Sequence, residues 1–144
     1  MKLLLDTSVL VAAMVEKHPA HSAAYPWLKR IKDGDDTGVV AAHSIAELYA
    51  VLSALPVQPR ISPEIAWQLI EHNVLKICET LNASTEDYIT TVNRLVKFGL
   101  TGGVVYDALI LQAGLNANVD LVLTLNPKDF RRVCPELAGK VVSP

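Results

Sequence analysis

The sequence predicts an α/β fold with a parallel sheet covered by helices on both faces. Three observations lead there. Short apolar runs alternate with longer segments of helical period, which is the signature of βαβ units. The runs Leu3-Leu4-Leu5 and Leu121-Val122-Leu123 show no polar alternation, as expected of strands buried on both faces. The chain's 144 residues suit one compact domain, 1–144, with neither repeat nor linker.

The elements follow in order. Lys2–Leu5 reads as a first strand ending at Asp6, and Thr7 to about Glu16 as a helix with Val9, Ala12, Ala13 and Met14 inward. His18 to Lys32 reads as a second helix, closed by the polar turn Asp33-Gly34-Asp35-Asp36. Gly38–Ala42 is a second strand, and Ser44–Ala54 a helix that ends before Pro56 and Pro59. Ser62-Pro63 opens another helix with a serine cap and proline in the first turn. Leu75–Cys78 is expected as the third strand, and Ser84–Phe98 as a helix stopped by Gly99. After the Gly102-Gly103 loop come a helix from Val104 to Leu115, a strand from Asp120 to Thr124, and a short helix from Asn126-Pro127 through Arg132. Val141-Val142 is a last edge strand.

Composition narrows the function. A hydrophobic fraction of 51% fills a real core, and 19% charged residues argues against disorder. The net charge of -2 gives no general attraction to nucleic acid, so RNA binding would need a local basic patch or bound metal. Cys78 and Cys134 stand far apart without metal-ligand spacing, which fits a reducing compartment better than a disulfide scaffold. The N-terminal apolar stretch carries Asp6, and an acid inside such a stretch costs about 3 kcal/mol on membrane insertion. With no run of ~18 apolar residues elsewhere, the expected location is cytoplasmic and away from the membrane.

Most of the fifteen acidic residues sit in polar settings, but three do not. Asp6 lies between Leu3-Leu4-Leu5 and Val9-Leu10, Glu47 within Ile45-Ala46-Glu47-Leu48, and Asp107 within Val104-Val105-Tyr106-Asp107-Ala108-Leu109. A lone carboxylate in core-facing sequence is expensive unless its charge is compensated. Asp6 belongs at the carboxyl end of the first strand, where open α/β sheets hold their ligands. Glu47 points back toward the start of its helix, over the same edge, and Asp107 lies in the first turn of its own. A divalent cation relieves the repulsion of such a group, with Mg²⁺ the natural choice and Mn²⁺ its substitute. Each acid also has a local explanation: Asp6 as a helix cap, Ser44-x-x-Glu47 as a capping box, Asp107 as a charge favourable to the helix dipole. Asn126, after the fourth strand, is a further candidate through its carbonyl oxygen; it and Asp129 equally suit a cap and a first-turn acid.

These residues carry a family resemblance. Leu4-Leu5-Asp6-Thr7-Ser8-Val9-Leu10, Ser44-Ile45-Ala46-Glu47-Leu48, Tyr106-Asp107-Ala108-Leu109-Ile110 and Thr124-Leu125-Asn126-Pro127-Lys128-Asp129-Phe130 resemble, in order and spacing, the four motifs of PIN-domain ribonucleases. The length resembles the VapC-type toxins of prokaryotic toxin–antitoxin pairs. The resemblance implies a five-stranded parallel sheet in a three-layer fold, a Mg²⁺- or Mn²⁺-dependent endoribonuclease, a homodimer and a cognate antitoxin that blocks the site. It makes Asp6, Glu47 and Asp107 metal ligands. It gives Asn126 the fourth position, where many relatives carry aspartate, and Thr124 that of the hydroxyl near the site. The expected chemistry is in-line attack on a phosphodiester by metal-activated water, leaving a 5′-phosphate.

The remaining polar residues are weaker candidates. Thr7 adjoins the first motif. Lys128, Arg131 and Arg132 form a small basic group able to meet an RNA backbone. His43 precedes Ser44 near the acidic edge and is an RNA or supporting contact, whereas His18 and His21 read as polar residues around a helix start. Two rival functions remain. A haloacid-dehalogenase-type phosphatase needs a second aspartate two residues after the first, and Ser8 stands there. A degenerate, non-catalytic PIN-like module that binds RNA or protein is the other alternative, kept open by Asn126.

Overall fold

The computed structural model describes all 144 residues. Five parallel strands form one sheet in the order β3-β2-β1-β4-β5. They span Lys2–Leu5 (β1), Thr37–Ala41 (β2), Cys78–Leu81 (β3), Leu121–Leu123 (β4) and Val141–Val142 (β5). Seven α-helices cover them: Thr7–Met14 (α1), His21–Lys32 (α2), Ala42–Ala54 (α3), Pro63–Ile70 (α4), Thr85–Phe98 (α5), Val104–Asn116 (α6) and Pro127–Val133 (α7).

Strand alternation divides the interior into two cores. Leu3, Leu5, Val40 and Leu123 face α1 to α4, whereas Leu4, Val39, Ala41, Val122 and Val141 face α5 to α7. The sheet is therefore the middle of three layers. Helix α1 is buried almost all round, so every apolar residue from Val9 to Ala13 is used, not one stripe of them. Gly114 lets α6 lie close on the sheet: a Cβ there would stand 2.8 Å from a methyl of Leu4. Ser62 and Ser84 accept backbone hydrogen bonds as helix caps, and Gly99 ends α5 at φ 64°. Asp36, buried before β2, ties Arg30 of α2 and the Met1 amino group at 2.6 and 2.8 Å.

The third strand departs from expectation. Leu75 closes a π-helical turn, Glu71–Leu75, that prolongs α4, and the strand begins only at Cys78. Its middle residues Glu79 and Thr80 are exposed because β3 is an edge strand, so it lacks the apolar run that marks the central ones. Helix α3 starts at Ala42, two residues earlier than expected, and α2 starts at His21, three later. No helix is long and apolar enough to cross a membrane.

The topology creates one switch point. From β1 the chain moves to β2 and then β3 on one side, and returns to place β4 on the other side of β1. Crevices of parallel α/β sheets open outside the carboxyl ends of the strands at such a reversal. Asp6 follows β1 and Asn126 follows β4, so both stand at this crevice.

Candidate active site

A cleft of about 420 Å³ opens at the switch point, and its walls include Asp6, Glu47, Asp107 and Asn126. Four segments distant in sequence supply these residues: the ends of β1 and β4, the second turn of α3 and the first turn of α6. Thr7, Ser8, His18 and Phe130 also line it.

Asp6 does not cap α1 with its side chain. Its buried carboxylate instead accepts hydrogen bonds at Oδ2 from Ser8 Oγ at 2.5 Å and Thr124 Oγ1 at 2.9 Å. Both hydroxyls accept in turn from the β4 exit: Leu125 N–H donates to Ser8 Oγ and Asn126 N–H to Thr124 Oγ1. This web fastens β1 to β4 and fixes one oxygen of Asp6.

Glu47 does not join a capping box, because Ser44 is buried inside α3 and its hydroxyl has no partner. His43 Nε2 lies 2.7 Å from Glu47 Oε1. This contact is an ion pair when His43 is protonated, and the buried oxygen accepts no regular hydrogen bond. The same imidazole stacks on the Tyr106 ring, with centroids 5.1 Å apart and planes 2° from parallel.

Asp107 is half-buried, and burial pushes its carboxyl up to about 6, with the negative charges of Asp6 and Glu47 adding to the shift. Asn126 does not cap α7 with its side chain; its amide donates to Asp129 Oδ2 at 2.7 Å. Asp129 also pairs with Arg132 at 3.0 Å. Arg131 donates to the carbonyl of Val141 and so ties α7 to β5, while Lys128 is exposed.

This arrangement suits a hard divalent cation. It offers oxygen donors, an excess of negative charge, and two buried oxygens that accept no regular hydrogen bond, Thr7 Oγ1 and Glu47 Oε1, the latter with the His43 imidazole beside it. No three of the acidic, histidine or cysteine side chains close around a point as they stand. An ion that binds through few carboxylates and keeps water and phosphate oxygens as its other ligands, as Mg²⁺ does, needs no such enclosure.

The family model described as "PIN domain" matches residues 3–135. The chain belongs to the PIN-domain family. Among curated relatives, "Ribonuclease VapC27" of Mycobacterium tuberculosis (strain ATCC 25618 / H37Rv) is 32% identical over 119 residues, covering 83% of this chain and 81% of that protein. "Ribonuclease VapC40" of M. tuberculosis (strain CDC 1551 / Oshkosh) is 35% identical over 106 residues, covering 73% and 72%. The crystal structure of M. tuberculosis VapC20, described as a sarcin-ricin loop cleaving toxin, superposes with a TM-score of 0.65 over 85% of this chain and 87% of that one. At 12% identity this likeness is one of fold.

Two residues of this PIN-domain cleft escaped sequence reasoning. Ser8 counted only as the residue that spoke against a phosphatase, yet its hydroxyl braces Asp6; a short polar side chain two residues after a strand-end acid was the available signal. His18 reads from the sequence, with His21, as helix-start polarity. It lines the cleft, whereas His21 turns its Nδ1 to the Ala12 carbonyl and stacks on Tyr25. Ala20 N–H donates to His18 Nδ1, which leaves the neutral ring's proton on Nε2 as a hydrogen-bond donor. No local pattern separates these two histidines; the turn between α1 and α2 does.

Proposed function

We propose that this protein is a divalent-metal-dependent endoribonuclease and the toxin of a toxin–antitoxin pair. The observation that carries the reading is the convergence of Asp6, Glu47 and Asp107 on one cleft at the sheet's switch point, where burial first, and then the charges of Asp6 and Glu47, raise the Asp107 carboxyl. The ribonuclease names of the VapC relatives support RNA as the substrate and an antitoxin protein as the partner.

Asp6, Glu47 and Asp107 would hold Mg²⁺ or Mn²⁺, with Asn126 offering its carbonyl oxygen beside them. The ion, when bound, lowers the pKa of a water and neutralises charge growing on the phosphate. The chain's own residues do the rest. Ser8 and Thr124 hold Asp6 in one rotamer, which preorganises the acid group. Asn126 is kept in place by Asp129, and Asp129 by Arg132. His18 presents an N–H donor to the cleft, suited to a phosphate oxygen. Lys128 supplies an exposed cation beside the β4 exit for the RNA backbone. A homodimer and a cytoplasmic location belong to the same reading.

The test is cleavage of RNA by purified protein. Activity is expected with Mg²⁺ or Mn²⁺, none with EDTA, and a loss of at least about a hundredfold in Asp6→Asn and Asp107→Ala. Products should carry 5′-phosphates. A 2′,3′-cyclic phosphate end contradicts the mechanism. Full activity in Asp6→Asn contradicts the site, and RNA binding without cleavage by the wild type would instead favour the non-catalytic module.

A further inference from the structure

A second cavity of about 320 Å³ lies beside the acidic cleft, between the ends of β2 and β3 and helices α5 and α6. His43 links the two, since it lines this cavity and its Nε2 contacts Glu47 of the acidic cleft. Its face stacks on Tyr106, the neighbour of Asp107. Leu109, two residues beyond Asp107 on α6, lines the cavity as well.

The walls are of two kinds. Ala41, Leu81 and Leu109 are apolar, whereas Asn82, Asp87 and Gln112 bring amide and carboxylate groups. The polar groups on the helices are held in place. Asp87 accepts from Ser84 N–H and from the Asn116 amide, Asn116 accepts from Gln112 Nε2, and Arg94 donates to Gln112 Oε1. The Asn82 side chain makes no hydrogen bond within the chain and is exposed at the rim. No lysine or arginine lines the cavity.

Building on the ribonuclease reading, we propose that this cavity is a nucleobase subsite, which takes one unstacked base of the RNA chain whose adjoining phosphodiester lies in the acidic cleft. Proteins that read RNA sequence splay single-stranded bases out and meet them with apolar or aromatic faces and with hydrogen bonds to their edges. The cavity supplies both kinds of contact. A carboxylate in its wall, with no lysine or arginine among the lining residues, disfavours a phosphate and favours a neutral ring. The Asp87 carboxylate accepts from N–H groups and so favours a base that bears an amino group. His43 then has a second role, as the wall that sets the spacing between the bound base and Glu47.

One variant at the rim tests this without touching the acidic residues. Ala83→Phe introduces bulk from an exposed position that lines the cavity. The decisive measurement follows the side-chain amide NMR signals of Asn82 and Gln112 in EDTA. Adenosine, guanosine, cytidine and uridine 5′-monophosphates are added in turn. An amino-bearing nucleotide should shift both signals in the wild type and leave Gln112 unmoved in Ala83→Phe. No shift with any of the four overturns the subsite. In cleavage of a randomised RNA pool, the wild type should show a base preference at one position beside the cut. Ala83→Phe should lose it, with KM raised about tenfold and kcat little changed, the size expected when one base loses its stacking and edge contacts. Unchanged preference and KM in a folded Ala83→Phe also overturns the proposal. A wild type that cuts no RNA refutes the ribonuclease reading instead, and the nucleotide titration still decides the cavity.

Discussion

Asp6 is gripped by two hydroxyls, and that grip is a property of single residues. A carboxylate that accepts two O–H bonds at one oxygen keeps its other oxygen free and its rotamer fixed. Hydrogen bonds to charged groups contribute roughly 1.5–3 kcal/mol. Thr124→Val should therefore lower RNA cleavage about ten- to hundredfold while the protein stays folded, as steady-state kinetics and circular dichroism will show. Asp107 gives a second prediction. Its carboxyl titrates near 6 in the folded protein, above the ordinary value near 3.8. Between these values the folded state binds more protons than the unfolded one, so metal-free stability falls as pH rises from about 4 to about 6. Thermal unfolding in EDTA should show that decline in the wild type and a flatter profile in Asp107→Asn. Mg²⁺ should raise the wild-type Tm chiefly above about pH 6, because the ion competes with protons for the carboxylate.

Helices and strands explain why the acids were visible in the sequence and their environment was not. Asp6, Glu47 and Asp107 each interrupt an apolar segment, and that incongruity survives without coordinates. The strands were similarly legible where both faces are buried, as in Leu3–Leu5 and Leu121–Leu123. The edge strand Cys78–Leu81 was misplaced because Glu79 and Thr80 face solvent and Leu75 belongs to a helical turn. Ser44-x-x-Glu47 matched a capping box by spacing alone, and the helix began two residues before it. Contacts such as Thr124 to Asp6 span 118 residues, and no local signal encodes them. Element packing carries its own test at Gly114, where α6 meets Leu4 of β1. Gly114→Ala gains helix propensity of about 1 kcal/mol. The overpacking against a fully buried Leu4 costs about 1–3 kcal/mol. The net effect should be a lower Tm, accompanied by weaker cleavage because α6 carries Asp107. An unchanged Tm would mean that the helix can retreat from the sheet freely.

At the scale of the whole molecule, fold and chemistry depend on one topological event, the return of the chain to place β4 beside β1. That return brings the ends of β1 and β4 together and leaves a crevice between them. Helices α3 and α6, packed on opposite faces of the sheet, then lower Glu47 and Asp107 into it from either side. The near-neutral net charge of -2 fits the proposed division of labour, in which the attraction for a polyanion would be concentrated at one edge and would depend on a bound cation. The most direct test of that claim is crystallography of Mn²⁺-soaked protein with anomalous diffraction. The account predicts a manganese peak at the switch point within bonding distance of Asp6 and Asp107, with Glu47 close by, and its disappearance in Asp107→Ala. A peak elsewhere on the molecule, or none at saturating Mn²⁺, would contradict it.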